Sequence, residues 1–180
     1  GPVSAQDPKV VTVARGLVNP WALAFLPDGR LLVSERAGRL RIVGRDGKLG
    51  EPLAGLPPIA ASGQCGLLDV VLDPKFAGTV ALNGKPAESG LIFWTFAEPA
   101  ADGNGNSTAV ARGRLAGDRL VDVKTIFVQQ PKVASQAHCG SRIVFARDGR
   151  LLVGMGDRFS RKDDVQSLDN HLGKVVRIDI

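Results

Sequence analysis

His138 is the side chain in this sequence best suited to acid–base chemistry, and it is one of only two histidines in the chain. It lies in the stretch Ser135–Phe145, where a loop ends and an apolar run predicted to be a buried strand begins. Gly140, two residues later, leaves space behind it. A neutral imidazole at the entrance of a strand suits a general base, whereas a lone histidine is more often structural. From these residues alone, both interpretations stay open.

Two pairs of neighbouring charged residues offer weaker candidates. Asp157 and Arg158 follow the predicted strand Leu151–Met155, where they could line a pocket or be a turn aspartate and a solvated arginine. Asp163 and Asp164 could suggest a metal site, although adjacent loop carboxylates are usually just exposed. The sequence contains no phosphate loop, zinc-ligand spacing or serine-nucleophile elbow.

The composition indicates an all-β domain without a membrane span. The chain has 180 residues and is 44% apolar, but no apolar run approaches the roughly 20 residues that a membrane helix needs. Glycine and proline turn signals recur between short β-rich runs. The net charge is +5, yet the arginines alternate with apolar residues and tyrosine is absent. These features do not favour a nucleic-acid partner.

Short apolar runs separated by turn signals predict antiparallel strands. The predicted strands are Ala22–Phe25, Leu31–Glu35, Arg39–Val43, Gly66–Leu72, Leu91–Ala97, Ser107–Leu115, Leu120–Phe127, Arg142–Phe145, Leu151–Met155 and Lys174–Ile178. A helical turn is expected only at Ser167–Leu172. Surface loops are expected at Ala77–Gly90 and Pro99–Asn106.

An internal repeat indicates how these strands assemble. The segment Ala22–Val33 (ALAFLPDGRLLV) returns as Arg142–Val153 (RIVFARDGRLLV). Repeated four-stranded units are typical of β-propeller blades, and closed propellers have about four to eight of them. These strands make about three blades, and the terminal strand Lys174–Ile178 would leave an unpaired edge. We therefore expect a partial propeller, completed by a missing C-terminal half or a second chain. Its approximate blade limits are 10–60, 61–130 and 131–180.

A series of ordered motifs spans nearly the whole chain. They are Asn19–Arg36, Gly38–Val43, Gly63–Val70, Phe96–Pro99, Gln129–Lys132, His138–Arg142 and Leu172–Ile178. Together they resemble the N-terminal half of the soluble PQQ-dependent aldose sugar dehydrogenases of the glucose/sorbosone dehydrogenase family. The resemblance implies a six-bladed propeller, the cofactor pyrroloquinoline quinone (PQQ), Ca²⁺, and oxidation of aldose sugars to lactones. It also implies a periplasmic or secreted protein.

The resemblance gives roles to two residues. His138 aligns with the family's catalytic base, and Gln64, in Gly-Gln-x-Gly-Leu-Leu, aligns with a glutamine that lines the cofactor and substrate pocket. In the implied reaction the sugar C1 hydroxyl loses its proton to the imidazole while hydride passes from C1 to the quinone. His171 resembles a structural turn of the same family. Most Ca²⁺ ligands are expected outside these 180 residues, and none is assigned within them.

The only two cysteines each follow a predicted site residue, Cys65 after Gln64 and Cys139 after His138. If both site residues face one cofactor, the cysteines must lie close together in adjacent blades. They could then form a disulfide, provided that their Cα atoms lie within about 7 Å. Two unrelated buried thiols are the alternative.

Three further expectations follow. Trp21 and Trp94 are expected in the core between blades, and Thr79–Gly90 is expected to form an unusual excursion of the second blade. Since a fold never guarantees a function, a non-catalytic propeller module that binds a glycan or protein partner is the alternative to the enzyme.

Overall fold

The chain folds into short antiparallel strands that form three separate sheets. The computed structural model describes residues 8–76 and 90–180, and these residues include eleven strands and one short 3-10 helix. The predicted loop Ala77–Gly90 and the predicted excursion Thr79–Gly90 lie outside the described residues, except for Gly90 itself. Within the described ranges, no helix combines the length and the apolar character that crossing a membrane would require.

The first sheet contains four strands in chain order. They are β1 (Pro20–Phe25), β2 (Leu31–Glu35), β3 (Arg39–Val43) and β4 (Leu49–Pro52). Between β1 and β2 the chain turns at Asp28-Gly29, where Gly29 has a φ of +86° and the Asp28 carboxylate accepts the Arg30 N–H at 3.1 Å. The sequence did not predict β4, because its sequence LGEP has one large apolar residue and no alternation.

The second sheet also contains four strands in chain order and has the longest strands. They are β5 (Leu67–Leu72), β6 (Leu91–Pro99), β7 (Asn106–Ala116) and β8 (Arg119–Val128). Strand β6 is buried along most of its length, since it is apolar on both faces and packs between the other two sheets. The predicted loop Pro99–Asn106 is the turn that joins β6 to β7, with the strand ends pairing at its two limits.

The third sheet has three strands in the described residues, in the order β11-β10-β9. They are β9 (Gly140–Phe145), β10 (Leu151–Met155) and β11 (Val175–Ile178). The internal repeat is reproduced in three dimensions, because the pairs Ala24↔Leu32 and Val144↔Leu152 occupy the same register in the two sheets.

The predicted helical turn at Ser167–Leu172 is wrong. The 3-10 helix lies earlier, at Lys162–Gln166, where two aspartates occupy its first turn and suit the positive end of a helix. In the predicted segment the Asn170 side chain instead accepts the N–H of Leu172 at 2.9 Å, a local bond that competes with helix formation.

The first strands of the three sheets lie next to one another, since β5 contacts both β1 and β9. One apolar core lies between the first and second sheets and another between the second and third. Side chains on second strands join neighbouring sheets: Ser34 donates to the carbonyl of Leu68, and Thr95 donates to that of Ser141. This radial packing of antiparallel sheets is a partial β-propeller of about three blades, as predicted; the blade limits within the chain stay predictions.

The two tryptophans have different environments. Trp94 is fully buried in the core between the first two sheets, as predicted. Trp21 is 41% exposed and lies outside the core between the first two sheets, so its placement between blades stays a prediction. On β1, Ala22 and Ala24 face the core, and strand alternation turns Trp21, Leu23 and Phe25 to the opposite, open face.

Candidate functional site

Gln64 and His138 meet at one end of the central strands. Gln64 lies shortly before β5 and His138 shortly before β9, and both residues are exposed. The side-chain Oε1 of Gln64 accepts the backbone N–H of His138 at 2.9 Å, and the Gln64 N–H donates to the carbonyl of Gln136 at 2.8 Å. The structure thus brings together the two residues selected from the sequence.

A disulfide between Cys65 and Cys139 lies directly beneath this contact. The two Cα atoms are 5.7 Å apart, within the usual range for a disulfide. Both cysteines are buried and pack with Leu68 and Ala97. The predicted disulfide is confirmed, and it links the segments that carry Gln64 and His138.

The backbone at His138 is unusual and is held by two glycines. His138 has a φ of +47°, a left-handed conformation that is uncommon outside glycine. A Cβ atom at Gly156 would lie 1.7 Å from the carbonyl oxygen of His138, and one at Gly140 would lie 2.4 Å from the nitrogen of Gly156. Only glycine allows these segments to approach so closely.

Asp157 orients the imidazole of His138. Its Oδ1 lies 2.8 Å from His138 Nδ1 and also accepts the N–H of Phe159 at 2.9 Å. The backbone N–H of Phe159, followed by the hydrogen bond with His138, lowers the pKa of Asp157. An ionised carboxylate can only accept hydrogen bonds, so it places the proton on Nδ1 and leaves Nε2 as an acceptor. The sequence offered Asp157 only as a weaker candidate.

Arg158 is fully buried, so its interpretation as a solvated arginine is wrong. Its guanidinium donates to Ala137 O at 3.2 Å, Asn106 O at 3.1 Å and Asn106 Oδ1 at 2.8 Å, and also to Ser135 O. Burial lowers the pKa of Arg158. Since Ser135 and Ala137 belong to the loop that carries His138, these hydrogen bonds from Arg158 fix the position of that loop.

His171, the other histidine, has a structural role. Its Nδ1 accepts the backbone N–H of Gln130 at 2.9 Å, and its ring packs at 5.1 Å from that of Phe127. Gln129 supports the site from the same segment, because its side-chain amide donates to the carbonyl of Gly156 at 3.0 Å.

The acidic pair does not form a metal site. Asp164 pairs with Arg161, and Asp163 is exposed. In residues 8–76 and 90–180, no group of three or more His, Cys, Asp or Glu side chains is arranged to hold a metal ion.

The polar groups at the site are of the kinds that could contact part of PQQ, a quinone that carries carboxylate groups. His138 offers an imidazole that is 46% exposed. The contact from Gln64 Oε1 leaves its amide Nε2, a two-proton donor, for a ligand. Arg36 donates to the carbonyl of Gly63, which places a positive charge beside Gln64.

The chain belongs to the glucose/sorbosone dehydrogenase family, whose sequence profile matches residues 17–180. Aldose sugar dehydrogenase YliI of Escherichia coli (strain K12) is 40% identical over 165 residues, which cover 90% of this chain and 41% of that protein. The chain thus spans less than half the length of this curated relative.

Solved structures show the same fold. The structure of the soluble aldose sugar dehydrogenase from Escherichia coli in the apo-form matches with a TM-score of 0.80 and 39% identity, over 90% of this chain and 44% of that one. The PQQ-bound aldose sugar dehydrogenase from Streptomyces coelicolor matches with a TM-score of 0.73 and 29% identity, over 94% of this chain and 47% of that one.

A more distant relative is named for an interaction and not for an enzyme activity. Hedgehog-interacting protein of Mus musculus is 27% identical over 187 residues, covering 95% of this chain and 26% of that protein.

Proposed function

We propose that the complete protein containing this chain oxidises aldose sugars to lactones with PQQ, and that His138 is the general base. The observation that carries this proposal is a pair of contacts to His138 at one end of the central strands. Asp157 contacts its imidazole ring, and the side chain of Gln64 accepts its backbone N–H. Family membership and the name of the E. coli relative support the substrate class.

In the proposed reaction Nε2 of His138 accepts the proton of the sugar C1 hydroxyl. Asp157 stabilises the imidazolium that forms and keeps the ring in its working orientation. As the proton leaves, the electron pair of the O–H bond forms the C1=O bond of the lactone, and the C1–H bond breaks with its electron pair leaving as hydride. A positioned base of this kind contributes roughly 10²–10⁴ in rate.

PQQ supplies the electrophilic quinone carbon that takes up the hydride when the cofactor is bound. From this chain, the amide of Gln64 would donate a hydrogen bond to the cofactor or substrate, and Arg36 would contribute positive charge next to anionic groups. The PQQ-bound relative supports this cofactor for the family. Ca²⁺ belongs to the proposal, with most of its ligands outside this chain.

The proposal includes a complementary half of the propeller and an oxidising compartment. The matched relatives are more than twice as long as the region that this chain covers, which supports completion of the ring by further blades. The Cys65–Cys139 disulfide supports a periplasmic or secreted location, because structural disulfides persist in oxidising compartments.

The test is reconstitution of the complete protein with PQQ and Ca²⁺. The expected result is reduction of an artificial electron-acceptor dye that depends on both PQQ and an aldose such as D-glucose. Stoichiometric PQQ binding without dye reduction, across a panel of aldoses, would contradict the proposed reaction.

The alternative is a non-catalytic propeller module that binds a glycan or protein partner. The similarity to Hedgehog-interacting protein favours it, because that name describes an interaction. This alternative predicts partner or glycan binding that does not depend on PQQ and no aldose-dependent dye reduction.

A further inference from the structure

We propose that Phe159 forms the apolar wall of the sugar subsite and contacts the C–H face of the aldose ring presented to His138. This inference rests on the proposed function and assigns a substrate contact to a residue that the sequence did not indicate.

The first observation is the position of the Phe159 ring. It lies 5.2 Å from the imidazole of His138, with the two ring planes at 86° to each other. The residue is 66% exposed, so an aromatic surface stands open beside the base. A hydroxyl that approaches His138 therefore brings the carbon skeleton that carries it next to this surface.

The second observation is how the backbone fixes this ring. Phe159 has a φ of +60°, a conformation that is uncommon for a bulky residue and often marks a functional site. Its N–H donates to the same Asp157 oxygen that contacts His138, and the preceding residue is the buried Arg158. One tight turn therefore sets both the orientation of the base and the position of the aromatic ring.

The chemistry matches an aldose in its ring form. Such a sugar has hydroxyl groups around its edge and an apolar face of C–H bonds. Sugar sites need a few placed polar groups for the edge and an apolar or aromatic surface for the face. Gln64 and His138 supply the polar groups here, and Phe159 supplies the apolar surface.

The experiment measures steady-state kinetics of Phe159→Ala and Phe159→Tyr in the complete protein reconstituted with PQQ and Ca²⁺, with D-glucose as substrate. Loss of the aromatic contact should raise KM roughly three- to tenfold and leave kcat within about twofold, in line with the usual strength of aromatic contacts. Phe159→Tyr keeps the ring and should retain a KM close to that of the wild type. Leu168→Ala is the matched control, because Leu168 is 95% exposed in the same inter-strand connection.

Three results would overturn the inference. If the wild type is active and Phe159→Ala has an unchanged KM, the proposed sugar contact is ruled out and the proposed function is not affected. A fall in kcat at constant KM would mean that Phe159 supports His138 rather than the sugar. If the wild type binds PQQ but oxidises no aldose, the proposed function fails and the subsite fails with it.

Discussion

The Asp157 carboxylate determines which nitrogen of His138 carries the proton. In the neutral imidazole, the 2.8 Å contact to Nδ1 places the single proton there and leaves Nε2 as an acceptor for a substrate. Without this contact, the imidazole is free to adopt the other tautomer or to rotate away, and the proposed base is no longer presented to a substrate.

Asp157→Asn should reduce kcat roughly ten- to a thousandfold with little change in KM, because the substituted amide no longer fixes the tautomer or stabilises the imidazolium. Steady-state kinetics of the reconstituted protein provide the measurement. Asp148→Asn is the control, since Asp148 also pairs with a neighbouring side chain but lies in the turn at the other end of β9. Normal kcat in Asp157→Asn would contradict this role.

The lowered pKa of Asp157 also predicts a pH dependence of stability. The folded state favours the ionised carboxylate, so this stabilisation is complete above the ordinary aspartate pKa of about 3.9. It is lost as the pH falls through the lowered value. The difference in Tm between the wild type and Asp157→Asn should therefore shrink as the pH falls below about 4.

Arg158→Met should destabilise the protein by about 2–4 kcal/mol, because it removes the hydrogen bonds that the buried guanidinium donates to Asn106, Ser135 and Ala137. It should also lower kcat by loosening the loop of His138. Denaturant unfolding and kinetics measure the two effects, and Arg158→Lys should restore only part of each. Arg161→Met, on the exposed surface, should change neither; equal effects of the two methionine substitutions would contradict the account.

Among the individual residues, the sequence indicated some members of the site and missed others. His138 and Gln64 could be selected because each lies in a recognisable motif before a strand. Asp157 reaches His138 only because two glycines let the backbones of residues 138–140 and 154–156 pack together. The burial of Arg158 had no signal in the sequence, since an arginine in a polar loop is normally solvated.

Among the elements, the strands were predictable and the irregular segments were not. The apolar runs and Asp-Gly turns located most strands to within about two residues. Strand β4 and the 3-10 helix escaped prediction because tertiary packing and local side-chain bonds, rather than apolar periodicity, determine them.

The disulfide joins two elements, the segments before β5 and before β9, across a sequence separation of 74 residues. In the chain-entropy model, closing a loop of this length contributes roughly 4–4.5 kcal/mol. Cys65→Ala with Cys139→Ala should lower the Tm and reduce activity, because the segments carrying Gln64 and His138 are no longer tied together. Differential scanning calorimetry and kinetics measure these effects.

A reductant provides the control for this prediction. It should lower the Tm of the wild type towards that of the double variant and leave the double variant unchanged. Alkylation without reductant, followed by mass spectrometry, should label neither cysteine in the folded protein. Two freely labelled thiols would contradict the disulfide.

At the scale of the whole molecule, the described residues leave two apolar flanks open. Leu23 and Phe25 project from the first sheet, and Val144 and Val175 are exposed on the third. The third sheet also has three strands in the described residues where the other sheets have four. The repeat predicted this partial ring, but the sequence could not show which residues face outwards.

The isolated 180-residue chain should therefore self-associate, while the complete protein should be monodisperse, because the further blades that we propose would cover these flanks. Size-exclusion chromatography with light scattering distinguishes the two states. Phe25→Ser should weaken association of the isolated chain, whereas Phe93→Ser, at a buried core position, should instead unfold it. A monomeric isolated chain with sharp cooperative melting would contradict the partial-propeller account.

The central claim is that His138 removes the C1 hydroxyl proton of an aldose. The most direct measurement is single-turnover reduction of bound PQQ by D-glucose in the complete protein, for the wild type, His138→Asn and His171→Asn. The account predicts a rate about 10²–10⁴ lower in His138→Asn, with unchanged PQQ affinity, and a nearly normal rate in His171→Asn, whose substituted amide can still accept the N–H of Gln130. A nearly normal rate in His138→Asn would contradict it.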